Sequence, residues 1–493
     1  MKNVLVGVDV GSTMLKVAAF DATTGRTLCA RAKRLRLQVG RDGTREQSTA
    51  SLDRALASAF GELRGELGRR WSAVAGIGLA AQGGSGIIVD RCTGKALTPM
   101  ILWNDTRALR HASKIGAKRP ADFWRELTWR DEPGHGLGKI LWLKATRPGV
   151  FKPGNMYVGA GEYCYFRMTG LWRQDACNAL QIGCYNVPQR RLDRRLLDLV
   201  GMPLSFVAPL REGHETNGMS REGARRLGLP AGTPVAGPYM DHEAGYLSAV
   251  GISNRPLQCS LGTAWVGNFV MPERAHWTSP FQFVVPAVVG KGRLVIQPLL
   301  TGNVTWDWAL AQFVDRDHGK ALAKVERLFS KELLPPDGLT ALPWFNVANP
   351  LRATAVGGGG FFGMSPTTGN EDMLRALAAS MVYEMARVFE NLKRRMKVDS
   401  VVLGGGASKG RFFRALFAAL FDPLPVFYLE EEDLSGVRGV LYGFSREVCR
   451  ARSKRVPRPS KALRGRIMDG YNLYLAVFDR MYGDVVAGEK ISF

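Results

Sequence analysis

Short apolar runs alternate with segments of helical period along the chain, a pattern that signals α/β architecture. Strands are expected at Val4 to Val8, Leu15 to Phe20 and Thr27 to Lys33, as a hairpin with a third strand. A helix is expected from Ser51 to Gly68 and an apolar strand from Val74 to Ala80. A second series begins near Val235, with strands at Leu257 to Ser260, Trp265 to Val270 and Arg293 to Pro298. A long helix is expected over Glu371 to Met396, because Leu374, Leu377, Met381, Met385, Val388 and Leu392 recur at spacings of three and four. Asn370 is placed to cap it, with Glu371 and Asp372 in its first turn and Lys393, Arg394 and Arg395 in its last, as the helix dipole favours. Ser400 to Leu403 then reads as a buried strand entering a glycine run, and Arg464 to Met481 as a last helix.

The two halves echo each other. Each has a strand, a tight Gly-Ser/Thr turn and a return strand: Val8 to Lys16 around Gly11-Ser12-Thr13, and Ser260 to Trp265 around Gly262-Thr263. Two related domains are expected, 1–248 and 249–493. With 493 residues, more than one domain is also expected from length alone. No stretch approaches the ~20 apolar residues of a membrane span, and the N-terminal apolar run is too short for a signal peptide. The seven scattered cysteines, without a C-x-x-C pair, read as reduced thiols of a cytoplasmic protein.

A formal charge of +23 raises the question of nucleic acid. The basic residues are spread out, however, apart from a cluster between Arg446 and Arg466, and no nucleic-acid motif accompanies them. The reading is a solvated basic surface, which would also favour an anionic small molecule such as a nucleotide.

A Gly-Ser-Thr turn presents backbone N–H groups and two hydroxyls at one point, an anion cradle. Lys16 can add a positive charge, and Asp9 ends the preceding strand where it can hold Mg²⁺, directly or through water. The alternative is a plain hairpin turn, which the repetition at Gly262-Thr263 disfavours.

Gly7-Val8-Asp9-Val10-Gly11-Ser12-Thr13, with Lys16 and Phe20-Asp21, resembles the first phosphate loop of the actin-like ATPase superfamily, and within it the FGGY carbohydrate kinases, nearest to xylulokinase-like members. Supporting segments follow in family order. They are Gly78 to Gln82, Pro99 to Arg107 with its Ile-Leu-Trp-Asn-Asp-x-Arg run, Arg167 to Gly170 with Asp175, Gly237 to Gly251, Ser260 to Thr263, and Gly404 to Ser408.

The resemblance implies two RNase H-like, actin-like ATPase domains flanking a catalytic cleft that closes on substrate. It implies ATP and Mg²⁺ as cofactors, a sugar or polyol as partner, no membrane, and a homodimer as a common family state. It makes Asp241 the general base, Asp9 the metal residue, and Gly11, Ser12, Thr13, Lys16, Gly262 and Thr263 phosphate contacts. Gly404, Gly405, Gly406 and Ala407 would lie against adenine. Gln82, Gly83, Gly84, Trp103, Asp105, Asp241 and His242 would form the acceptor side. A carboxylate suits the base role because a sugar hydroxyl is a poor nucleophile until its proton is accepted. An N-cap aspartate is the structural alternative for Asp241. For Trp103 the alternative is packing, and for Asp105 it is pairing with Arg107.

The acceptor side departs from the family. Gln82 is followed by Gly83, Gly84 and Ser85, not by a Met-His pair as in xylulokinases or the Arg-Glu pair of glycerol kinases. Either the pocket is wider or another segment fills it, candidates being 130–136 and Thr301-Gly302-Asn303. Asn349 to Val356, Ala419 and Ala264 also depart from the family pattern. A ketopentose is the leading acceptor, with an erythritol- or glycerol-type polyol as runner-up and a non-catalytic sugar- or nucleotide-binding regulator as the rival of another class.

Overall fold

A computed structural model describes residues 2–130, 133–273, 282–288, 291–299, 301–345, 358–396 and 398–488. The segment 349–356 and residues 131 and 132 of the first filler candidate lie outside them. The chain forms two compact units, Met1–Gly251 with Phe283–Val295 and Leu434–Ala451, and Ile252–Gln282 with Ile296–Asp433 and Arg452–Phe493.

The first unit is built on a six-stranded sheet in the order Thr216–Gly218, Pro234–Met240, Val74–Ala81, Val4–Val10, Met14–Asp21, Thr27–Arg34. Val4–Val10 is antiparallel to Met14–Asp21 and parallel to Val74–Ala81. Both sheet faces are covered. Val4, Val6, Val8 and Val10 enter one apolar cluster with Leu52, Leu56, Phe60 and Leu63 of the helix Thr49–Leu67. Leu5 points to the other face, with Tyr239, Ala244, Leu247, Val437 and Val440. This period-two division is what a strand buried on both faces imposes. The Ser48 hydroxyl caps the helix by accepting from the Ser51 N–H.

That second face is closed by the short helix Ser435–Gly439, which the sequence alone does not connect with this sheet. Glycines allow the approach. A Cβ on Gly7 would sit 1.9 Å from the Val437 carbonyl oxygen, and one on Gly439 1.7 Å from that of Ala244.

In the second unit, Trp265–Met271, Pro256–Leu261, Ser400–Gly404, Val426–Leu429 and Ser453–Arg455 are consecutive sheet neighbours. Pro256–Leu261 is antiparallel to Trp265–Met271 and parallel to Ser400–Gly404, repeating the hairpin-plus-parallel-strand arrangement of the first unit. The long helix spans Asn370–Met396 and buries Leu374, Leu377, Met381 and Met385 as its period requires. Further along, Phe389 is buried and Val388 only partly so. Asn370 is not the cap. Gly369 takes that place: its carbonyl accepts from the Asp372 and Met373 N–H groups, and its own N–H donates to Asp372 Oδ2 at 3.1 Å. Asp372 thus supplies half of a capping box. The last helix runs Lys461–Gly488, longer than its apolar pattern indicates.

The cysteines are all free thiols, with only Cys92 exposed. Among the described residues no helix is long and apolar enough to cross a membrane. Several charges of the basic cluster are paired within the chain: Arg458 and Arg464 with Asp422, Arg466 with Glu332 and Lys454 with Glu430.

Candidate active site

The first turn joins Val4–Val10 to Met14–Asp21, and its carbonyls are tied back into the unit. Val10 O accepts from the Gln82 N–H at 2.8 Å, Ser12 O from Gln47 Nε2 at 3.2 Å, and Thr13 O from the Leu35 N–H at 2.8 Å. Gln82 Nε2 approaches Gly11 O at 3.5 Å. The Ser12 and Thr13 N–H groups, which have no partner among the described residues, are the donors left for an anion.

Asp9 faces Lys16 across the hairpin. Its Oδ1 is buried without a hydrogen-bond partner. Burial first, and the Asp241 carboxylate second, push its pKa up to about 7, with Lys16 opposing. A Cβ on Gly436 would sit 2.7 Å from Asp9 Oδ2, so a larger residue where that short helix meets the carboxylate would displace it. An orphaned carboxylate oxygen held near a second carboxylate fits a divalent cation.

Asp241 follows the strand Pro234–Met240, which bulges between Ala236 and Tyr239 against Val74–Ala81. Gly237 makes the bulge feasible: its φ is +103°, and a Cβ there would lie 2.2 Å from Leu79 O. Met240, rather than Asp241, is the N-cap, and Asp241 is the first residue of the helix Asp241–Ala249. Its Oδ1 accepts from the His242 N–H at 2.9 Å. Asp241 and His242 are both half-buried.

The acceptor-side residues divide into supports and open groups. Gln82 is buried, and its Oε1 accepts from Ser85 Oγ at 3.1 Å. Asp105 is buried, and its carboxylate accepts from the Arg45 N–H at 2.8 Å and from Arg107 Nη2 at 2.7 Å. Arg107 also reaches Glu46 at 2.6 Å and lies 4.4 Å above the Trp142 ring. Of the two readings of Asp105, pairing with Arg107 describes its oxygens. Trp103 is 45% exposed, an open indole face.

Among the described residues, the groups nearest the space beside Gly83 and Gly84 come from Met240, Gln181 and Trp103. A Cβ on Gly83 would meet the Met240 side chain at 3.0–3.2 Å, and one on Gly84 would meet Gln181 Oε1 at 3.1 Å and Trp103 Cβ at 3.2 Å. Thr301-Gly302-Asn303 instead braces the second-unit turn, since Trp265 N–H donates to Thr301 O at 2.8 Å and Asn303 N–H to Gly262 O at 3.0 Å. In the 130–136 segment, Gly134 and Gly136 pack against backbone at Leu180 to Gly183, and the Arg130 guanidinium lies over the Phe283 ring.

Lys139 is a support that no sequence motif marks. Its Nζ donates to Gly84 O and Leu102 O, both at 2.6 Å, pinning the glycine turn to the segment that carries Trp103. Burial lowers its pKa to about 7. The available signal is a lysine between Leu137, Ile140 and Leu143 on the buried side of the helix His135–Thr146.

In the second unit the Gly262-Thr263 turn is held by Asn303, whose Nδ2 donates to Leu261 O at 3.3 Å and whose Oδ1 accepts from Trp265 Nε1 at 3.1 Å. The glycine run has an internal reason at Gly405, with φ +85° and Leu261 backbone atoms 2.7–2.9 Å from where a Cβ would be. Beside Gly406 the nearest atom is Asn303 Nδ2 at 3.6 Å, which leaves that backbone open. Ala407 is buried.

Two sheets of the same hairpin-plus-parallel-strand plan, each with a Gly-Ser/Thr turn at its head, define the class: phosphotransferases of the actin-like ATPase fold. The structure of xylulose kinase from Rhodospirillum rubrum superposes with a TM-score of 0.83 at 20% identity, over 98% of this chain and 100% of that one, a likeness of fold. The N-terminal domain model of the FGGY family of carbohydrate kinases matches residues 4–248, and the C-terminal domain model matches 287–442. The chain belongs to the FGGY family of carbohydrate kinases, which are ATP-dependent. It is 23% identical to a xylulose kinase of Staphylococcus epidermidis over 86% of this chain and 84% of that protein. It is 26% identical to a glycerol kinase of Rippkaea orientalis over 69% of each.

Proposed function

We propose that this carbohydrate kinase transfers the γ-phosphate of ATP to a hydroxyl of a ketopentose such as xylulose, with Asp241 as general base. The observation that carries the reading is Asp9, whose buried Oδ1 has no hydrogen-bond partner among the described residues and which feels the charge of Asp241, on the same hairpin whose turn leaves the Ser12 and Thr13 N–H groups unbonded. Asp241 accepts the acceptor hydroxyl's proton as its oxygen bonds to the γ-phosphorus, and the bond from that phosphorus to the departing ADP oxygen breaks. The Ser12 and Thr13 N–H groups and Lys16 hold phosphate oxygens. In the second unit, Gly262 and Thr263 take the same role, and Gly404 to Ala407 receive adenine. Asp9 would hold Mg²⁺, which when bound supplies neutralisation of phosphate charge. On the acceptor side, Trp103 offers an apolar face and His242 a ring beside Asp241, while Gln82, Asp105 and Lys139 support the backbone behind them.

A ketopentose is favoured because the xylulose kinase relative aligns over most of its own length. A polyol acceptor is the second reading, favoured by the glycerol kinase relative and by Met240 and Gln181 occupying the space beside the glycines. Asp241→Asn tests the base. ATP binding should persist while turnover falls by several orders of magnitude. Near-normal turnover would remove Asp241 from that role.

A further inference from the structure

A cluster outside this parts list lies directly behind the base. Asp175 caps the helix Ala176–Ile182, its Oδ1 accepting from the Asn178 N–H at 2.7 Å. Glu243 lies in the first turn of the helix that Asp241 begins. Both carboxyls are nearly inaccessible, Asp175 at 5% and Glu243 at 4%. One oxygen of each and the Cys177 sulfur lie within 4.8 Å of one another. Asp175 Oδ2 and Glu243 Oε2 are buried without a hydrogen-bond partner.

Such an arrangement is untenable with both groups ionised. Two like charges at this separation, away from water, repel and cannot both be retained. Each orphaned oxygen also needs a donor, and neither carboxylate can provide one. A single proton removes both problems, because one carboxyl becomes a donor and the other its charge-assisted acceptor. We propose that Asp175 and Glu243 share one proton, and that this pair is the positioning device fixing the head of the Asp241 helix to the neighbouring helix Ala176–Ile182. Its role as a support for catalysis rests on the reading of Asp241 as the base.

Asp175 already accepts the Asn178 N–H, a bond that favours its ionised form, so the proton rests on the Glu243 side of the pair. Burial, then the neighbouring Asp175 carboxyl, pushes the Glu243 carboxyl well above the usual carboxylate range. Asp175 is raised mainly by burial, with its hydrogen bonds opposing. Cys177 and Tyr239 lie in the same field, and burial pushes both well up, so both stay protonated. A cation held by Asp175, Cys177 and Glu243 is the competing account, and it requires both carboxyls to be ionised.

The test uses the full chain at neutral pH without substrate. Infrared spectra should show a protonated carboxyl C=O stretch that Glu243→Gln removes. Because Gln keeps a donor toward Asp175, hydrogen exchange at the amides of residues 241–244 should match wild type in that variant. Glu243→Met, which has no donor, should exchange there about ten- to a hundredfold faster. The proposal is overturned if no such band disappears, if Glu243→Gln opens the segment as Glu243→Met does, or if purified wild type carries a stoichiometric transition metal that Glu243→Gln loses. Should Glu243→Met fail to fold, the infrared band and the Gln variant still decide. Failure of the base reading is separable: an active Asp241→Asn would leave the band in place.

Discussion

In Lys139→Met a buried ammonium bonded to two carbonyls becomes a thioether. Burial lowers the lysine from an ordinary 10.5 to about 7 in the native protein, and unfolding returns it to water. Between those values the unfolded chain holds more protons on this side chain than the native one, so the lysine's contribution to stability rises with pH. Each pH step across that window, with the proton held only by the unfolded chain, is worth ~1.4 kcal/mol. Going from pH 7, where the group is half titrated, to pH 9 therefore adds roughly 2 kcal/mol. The neutral amine keeps two N–H donors, one each for Gly84 O and Leu102 O, so both bonds survive deprotonation. Methionine has no titration and leaves both carbonyls without that donor, at ~1–3 kcal/mol each, offset by no longer burying a charge. The assay is urea unfolding of both proteins at pH 7 and 9, followed by tryptophan fluorescence. Other titrating groups cancel in the difference between the two. The gap should move in favour of wild type by roughly 2 kcal/mol between the two pH values; a gap that does not change with pH would refute the reasoning.

Gly405→Ala combines a positive φ with contact against Leu261 backbone, and should cost about 2–4 kcal/mol and weaken ATP binding; urea unfolding and a nucleotide titration check it. Asp105→Ala removes the main partner of Arg107 and leaves the Arg45 N–H without its acceptor, at about 2–3 kcal/mol, since Arg107 is partly open to water. Its acceptor KM should rise while the ATP KM holds, as steady-state kinetics would show. Asp9 ionises only above about 7 without a cation, so thermal stabilisation by Mg²⁺ should grow as pH rises through that value and disappear in Asp9→Asn. A pH-independent stabilisation, or one retained in the variant, would remove Asp9 from the metal role.

Much of the fold is legible in the chain because its signals are local. The apolar run Val4–Val10, the Gly-Ser-Thr turn and the period of Leu374, Leu377, Met381 and Met385 each report their element without distant information. Asp9, Ser12, Thr13 and Lys16 are legible as a group because one hairpin carries them all. What the sequence conceals is tertiary. Nothing local says that Ser435–Gly439 packs on the first sheet, which depends on the bare backbone of Gly7 and Gly439. Asp105 stays open between two roles in the sequence because only folding brings the Arg45 N–H to it. Met240 fills the space beside Gly83 from more than 150 positions along the chain, so no window of sequence contains both. Lys139 and the Asp175–Glu243 pair are buried polar groups, whose sense lies in partners that sequence spacing does not reveal.

The central claim is phosphoryl transfer to a carbohydrate through Asp241. Its most direct test is ADP release with ATP and Mg²⁺ over a panel of ketoses, aldoses and polyols, with Asp241→Asn run in parallel. The account expects one strong acceptor, a ketopentose first, whose turnover is lost in the variant while ATP still binds. ATP binding with no acceptor turned over in the panel, or turnover that survives in Asp241→Asn, would contradict it.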